Sequence, residues 1–207
     1  MTKRVACRFG FAILLTPLAV SLLTGCGHPG TRPDGAKLLY SPSSNESAQN
    51  PAFSPDGKTV LFTEFHEGYN MGPAGLFLVR PDGGKPEELL DEPDTDSVNL
   101  PGSSWNRVAG LIAFSSDRAG PDEIHTMSLE TTDPSRVTRH KGDSFFIEPS
   151  FSPDGKWIVF EEDVNAPEDR QQHSIWKVRS DGRKLARLTD GPVGGTDDRL
   201  PNWSPAG

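Results

Sequence analysis

The sequence predicts an all-β fold assembled from short antiparallel strands and tight turns. Glycine and proline together make up nearly one residue in five of the 207, with 21 Gly and 19 Pro. Both break helix interiors, which argues against a helical bundle. Only 34% of the residues are hydrophobic, which argues against a multi-span membrane protein, yet 11 Phe and 4 Trp supply enough large apolar surface for a core built from many small elements. One turn sequence also returns at a near-constant interval along the chain. With 29 acidic against 21 basic residues and a net charge of -8, no nucleic-acid partner is expected, because phosphate binding needs a concentrated basic surface.

The first ten residues carry Lys3, Arg4 and Arg8 and no acid, and an apolar run of 15 residues follows from Phe9 to Leu23, interrupted by Pro17. Such a run is short for a hydrocarbon core of ~30 Å, which takes about 20 residues, but suits the apolar section of an export signal. It ends in Leu23-Thr24-Gly25-Cys26, which resembles the bacterial lipobox. That resemblance implies a lipoprotein signal peptide over residues 1–25, cleavage before Cys26 and thioether lipidation of Cys26, so that the membrane becomes a partner through the N-terminal lipid. Cleavage would leave 182 residues with a charge of -11. Cys7 would depart with the signal, so no disulfide is expected. Each buried acyl methylene contributes about 0.8 kcal/mol, so more than one chain anchors durably. Gly27, rather than Asp, follows the cysteine, and by the same resemblance this favours the outer membrane, facing the periplasm.

Residues 26–31 read as the lipidated cysteine and its tether, within a polar, turn-rich stretch that reaches Gln49. Inside it, residues 37–40 (Lys-Leu-Leu-Tyr) read as a short strand. The repeat explains why. Pro51-Ala52-Phe53-Ser54-Pro55-Asp56-Gly57-Lys58 returns as Pro149-Ser150-Phe151-Ser152-Pro153-Asp154-Gly155-Lys156, and in weaker form as Pro201-Asn202-Trp203-Ser204-Pro205-Ala206-Gly207. A degenerate copy at Trp105 has lost the Pro and Asp from its turn, Asn106 to Gly110. The aromatics at 53, 105, 151 and 203 stand 52, 46 and 52 residues apart, a spacing that fits one four-stranded unit. In Ser-Pro-Asp-Gly, Pro presets φ at the first central position of a type I turn, Asp suits the second, and Gly supplies the left-handed conformation that lets the chain return.

Each copy continues alike. Nine residues after the aromatic comes Phe62, Phe114 or Phe160, each expected to be buried between neighbouring blades, in second strands expected over 59–63, 111–115 and 157–161. Third strands are expected over 75–79, 123–129 and 174–178, and fourth strands over 87–90, 135–138 and 184–188. The aromatic-bearing strand should lie innermost and begin at its proline, a position a strand tolerates. Four strands per repeat make an antiparallel blade, and blades arranged radially make a β-propeller. Extending the pattern backward assigns residues 32–48 to the outer strand of a preceding blade, 49–96, 97–143 and 144–195 to blades 1 to 3, and 196–207 to the start of a further blade. Propellers have typically four to eight blades, so an incomplete or truncated propeller is expected.

FSPDGKTVLF, FSPDGKWIVF and SSDRAGPDEIHTM resemble the repeats of TolB-type β-propellers, which also occur in prolyl-oligopeptidase-like proteins. The resemblance covers residues 32–207. Blade 1 departs from it at Glu64-Phe65-His66-Glu67-Gly68, where blade 2 has Ser116-Asp117-Arg118-Ala119-Gly120. A TolB ortholog would carry an α/β domain before its repeats, and only about 25 residues separate Cys26 from Pro51; a TolB-like lipoprotein fits better.

No Gly-x-Ser-x-Gly pentapeptide marks a hydrolase nucleophile, and Gly102-Ser103-Ser104 reads as a loop leading into a strand. The five histidines form no i, i+4 pair, so no zinc site is expected; His66 and His173 are placed in loops and His125 in a strand. The acidic stretch from Asp91 to Asp96 lacks the Gly and closing Glu of an EF-hand and reads as a solvated loop. No cofactor, metal or catalytic residue is expected. Two function classes follow: a non-catalytic scaffold that binds an envelope protein or peptide, and the propeller portion of a longer exported peptidase or polysaccharide lyase. The resemblance implies inner strands lining a channel, with the residues before each inner-strand proline at its mouth: Asn50, Leu100, Glu148 and Leu200, with Asp198 beside them. Asp143 and Asp197 add to an acidic surface that favours a basic partner.

Overall fold

Thirteen strands and no helix make up the described part of the chain. In the computed structural model the described residues are 35–99, 101–164, 172–190 and 198–204. The chain divides into residues 1–37, of which 35–37 are described and form no regular element, and residues 38–207, which hold every strand. Blade 1 is β1 (Ser47–Phe53), β2 (Val60–Phe65), β3 (Ala74–Val79) and β4 (Glu87–Leu90), antiparallel in that order. In blade 2, β5 (Ser97–Val98) and β6 (Trp105–Asn106) both pair with β7 (Leu111–Ser116), followed by β8 (Glu123–Met127) and β9 (Ser135–Arg136). Blade 3 is β10 (Ser144–Phe151), β11 (Trp157–Val164), β12 (His173–Arg179) and β13 (Ala186–Arg187). The molecule is therefore all-β, an incomplete propeller of four-stranded antiparallel blades.

The turns do what their residues dictate. Ser54 Oγ donates to Asp56 Oδ1 (2.8 Å) and accepts from the Thr59 N–H (2.9 Å), and Ser152 repeats this with Asp154 (2.7 Å) and Trp157 (3.0 Å). Gly57 and Gly155 close the turns at φ 71° and 70°. In the degenerate copy one side chain replaces the motif: Asn106 Oδ1 accepts from the N–H groups of Val108 and Ala109, both at 2.8 Å.

The inner strands do not begin at their prolines. They start earlier, at Ser47 and Ser144, and the ladder breaks between Gln49 and Ala52 and between Ile147 and Ser150. Proline has no N–H to donate and bars the residue before it from the right-handed helical region. Asn50 and Glu148 resolve the conflict at φ 56°, and Leu200 before Pro201 does so at φ 52°. In blade 2 six residues rather than two separate the paired positions, since Val98 pairs with Ser115 and Trp105 with Ile112, and the inner strand splits into β5 and β6.

The fourth strands are shorter than expected in blades 2 and 3 because side chains finish them. The N–H groups of Val137 and Thr138 both turn to the Ile124 carbonyl (2.8 and 3.3 Å), while Thr138 Oγ1 accepts from the Ile124 N–H (2.9 Å). Leu188, Thr189 and Ile175 repeat the arrangement. His173, expected in a loop, lies in β12, where its Nε2 is 3.2 Å from Asp163. The third and second strands also start or end up to three residues away from the expected positions, as strand ends are decided by pairing rather than by composition.

Apolar clusters sit between blades. Ala52, Leu61 and Leu76 of blade 1 meet Ile112, Phe114 and Met127 of blade 2. Ala113, Ile124 and Val137 of blade 2 meet Phe146, Phe151, Ile158, Phe160 and Val178 of blade 3. Phe114 and Phe160 are fully buried, as their spacing predicted. The strand expected over 37–40 is not formed. Leu39 and Tyr40 instead pack against Val60, Phe62 and Val79, and the Gly84 N–H donates to the Leu39 carbonyl (3.4 Å). A Cβ on Gly83 would stand 3.0 Å from the Leu39 oxygen, just as one on Gly182 would stand 2.9 Å from that of Val137. Leu39 thus holds the place of a preceding blade's outer strand, without a ladder partner among the described residues.

Candidate binding site at the inner strands

The kinks before the inner-strand prolines aim backbone groups at the neighbouring blade. The Asn50 carbonyl accepts from Asn99 Nδ2 (2.8 Å), and the Asn99 N–H donates to Thr63 Oγ1 (3.1 Å). At the next junction the Leu200 N–H and Arg199 Nε donate to the two oxygens of buried Glu161, at 3.0 and 3.1 Å. Glu161 and Thr63 occupy equivalent positions in their second strands, opposite Ile147 and Gln49 respectively. One stitch thus recurs with different chemistry.

These junctions surround a cavity of about 300 Å³. Three of the expected mouth residues, Asn50, Glu148 and Leu200, line it together with Asp96, Asn99 and Asp122. Tyr69 also lines it and is 75% exposed. Asp198 is half-buried and does not line the cavity, and Asp143 is exposed. Leu100, Asp197 and Cys26 lie outside the described residues. Gly102-Ser103-Ser104 is part of the widened break in blade 2, where Ser103 Oγ donates to Asn202 Oδ1 (2.7 Å).

Asp96 and Asp122 are the site residues that sequence reasoning missed. Asp96 belonged to the stretch read as a solvated loop, but it is half-buried beside Asp117, and burial first, then that charge, raises its carboxyl. Asp122 directly precedes β8, and burial, reinforced by Asp117, Asp96 and Glu123, pushes it up to about 7. Burial and the charge of Glu161 push Glu148 up to about 7 as well, against the opposing pull of Arg199. The only sequence signal for Asp122 was its place in Gly120-Pro121-Asp122-Glu123, where a turn hands over to a buried strand. Among the described residues no three His, Cys, Asp or Glu side chains are placed to hold a metal ion.

Because the folded pKa of Asp122 is raised, its protonated form favours folding below the unfolded value near 3.8, and that contribution disappears as pH rises through about 7. Asp122→Asn should therefore stabilise the protein at pH 8 by about 2–4 kcal/mol and leave it nearly unchanged at pH 4. Urea melts of both proteins at the two pH values check this; an equal difference at both would contradict it.

Comparison with known proteins agrees with this architecture. Residues 36–207 match the TolB beta propeller domain. An uncharacterized protein of Agrobacterium fabrum, Atu1656, is 28% identical over 156 residues, covering 74% of this chain and 46% of the relative. The uncharacterized peptidase YuxL of Bacillus subtilis is 25% identical over 164 residues, covering 61% of this chain and 24% of the peptidase. Among solved structures, a putative TolB from Agrobacterium tumefaciens superposes with a TM-score of 0.58 at 24% identity, over 77% of this chain and 52% of that one. The chain thus spans about half the length of two of these relatives and a quarter of the third. With the domain matched from Ala36 to the last residue and the blades observed strand by strand, the chain belongs to the TolB beta propeller domain family.

Proposed function

We propose that this chain is a non-catalytic binding scaffold of the bacterial cell envelope that captures a peptide or protein segment carrying basic side chains at the inner-strand cavity. The observation that carries this reading is the convergence of equivalent kinked residues, Asn50, Glu148 and Leu200, on one cavity whose other walls hold Asp96 and Asp122. The Asn50 side-chain amide there offers a donor and an acceptor to an extended backbone. The carboxylates offer a cation its counter-charge, with an association rate sensitive to salt.

An acetylated Ala-Lys-Ala-Lys-Ala peptide should bind by calorimetry, and Glu148→Lys should weaken it at least about tenfold. An Ala-Glu-Ala-Glu-Ala peptide should not bind. Equal binding by wild type and variant, or none by either, would overturn the assignment. The envelope location rests on the charged, apolar leader and the Leu23-Thr24-Gly25-Cys26 box. Palmitate supplied to cells should label the protein, and labelling that persists in Cys26→Ser would contradict lipidation there.

The match to a Bacillus peptidase supports a second reading, in which these blades form the propeller portion of a longer exported enzyme. The gene's sequence downstream of Gly207 separates the two: further repeats followed by a stop favour the scaffold, and a long α/β segment favours the enzyme.

A further inference from the structure

We propose that the cavity is a proton-controlled acceptor, whose carboxylates hold a cationic side chain when ionised and release it when protons take its place. This rests on the binding role above and adds its regulation.

Asp96, Asp122 and Glu148, from three separate elements, line one cavity. Asp122, just before β8, faces Asp117 from the connection after β7, Asp96 from the segment leading into β5, and Glu123 at the start of β8. Glu123 is already engaged by Arg136 (2.6 Å), by Thr138 and by the His140 N–H (2.8 Å). Arg118, the nearby cation, is held by Glu92 (3.2 Å) and Ser97 Oγ (2.9 Å). Glu148 in β10, which also lines the cavity, feels the charges of Glu161 and Asp163 of β11 and of the Arg199 guanidinium. Arg199 is bound to Glu161, and His173 of β12 lies 3.2 Å from Asp163 and 3.9 Å from Glu161. Glu148 Oε2 is shielded from solvent, and its carboxyl lies within hydrogen-bonding reach of that of Glu161.

Like charges this close, in a space partly withdrawn from water, resist simultaneous ionisation. An entering ammonium or guanidinium group relieves the repulsion, and so does a proton. The two compete, so a cation bound beside Asp122 or beside Glu148 must expel that carboxyl's proton. For groups titrating at about 7, the affinity should rise roughly tenfold per group between pH 6 and pH 8.

The test uses the full chain with the Ala-Lys-Ala-Lys-Ala peptide as probe, and carboxyl ¹³C NMR to follow the acids without any ligand. Two carboxyl resonances should titrate near neutrality, one lost in Asp122→Asn and the other in Glu148→Gln. The probe's affinity should climb with pH in wild type, and the double variant should lose that slope. Carboxyls that all titrate below pH 5, or a slope that survives in the double variant, would overturn the proposal. Binding of equal strength at pH 6 and pH 8 removes the regulation and leaves the binding role. Absence of binding at every pH removes both.

Discussion

Phe160→Ala is expected to cost about 3–5 kcal/mol of stability, the range for deleting a buried phenyl ring from a packed core. Phe160 is fully buried, with its ring 4.7 Å from that of Phe146. It belongs to the cluster that joins blade 3 to Ala113, Ile124 and Val137 of blade 2. The cavity left behind would lie between two sheets that the surrounding buried side chains hold apart, so little of it can collapse. Phe53 provides the control. It holds the position of Phe151 in the repeat but is 62% exposed where Phe151 is 4% exposed, so Phe53→Ala should cost less than about 1 kcal/mol. Denaturant melts that rank the two variants the other way would refute the assignment of inter-blade burial.

Glu123→Ala should be comparably damaging, at about 3–5 kcal/mol, because removing one partner of a buried ion pair strands the others. The Glu123 side chain is 1% exposed and its carboxylate ties Arg136 to Thr138 and to the His140 backbone. Burial alone would push its carboxyl up, but the hydrogen bonds from Thr138, His140 and Arg136 outweigh that and hold it below the usual glutamate range. A depressed folded pKa means its contribution is present above the unfolded value near 4.5 and disappears as pH falls through the folded one. The difference between wild type and Glu123→Ala should therefore shrink in acid melts below about pH 4. Asp122, its neighbour, runs in the opposite sense. Adjacent residues in one chain thus carry opposite pH signatures, because one is encircled by donors and the other is buried among acids.

Phe62, Phe114 and Phe160 could be placed in the core from sequence because each stands at a fixed distance from a turn whose chemistry is local. Ser54, Asp56 and Gly57 satisfy one another within a few residues, and such contacts survive in any fold that keeps the hairpin. It was the family resemblance that implied a common location for Asn50, Glu148 and Leu200, each before an inner-strand proline. Sequence did not reveal that the strand runs through that position, since the left-handed kink is settled by pairing on both sides of the break. It missed His173 in β12 for the same reason: a strand's start depends on the partner residues it meets, here Asp163.

The chain by itself determined the all-β class, the repeat, the turn geometry and the alternation of buried aromatics, all of which rest on interactions between residues close in sequence or on a period of about fifty residues. Only the tertiary structure decided which acids face a common cavity. Glu148 was marked by its place before a proline, but Asp96 carries no local mark that separates it from the exposed Asp143, and Asp122 only the turn that hands over to β8. What separates them is burial against neighbouring blades and the nearness of other carboxylates. Both are decided by how strands and blades pack, which no local pattern encodes.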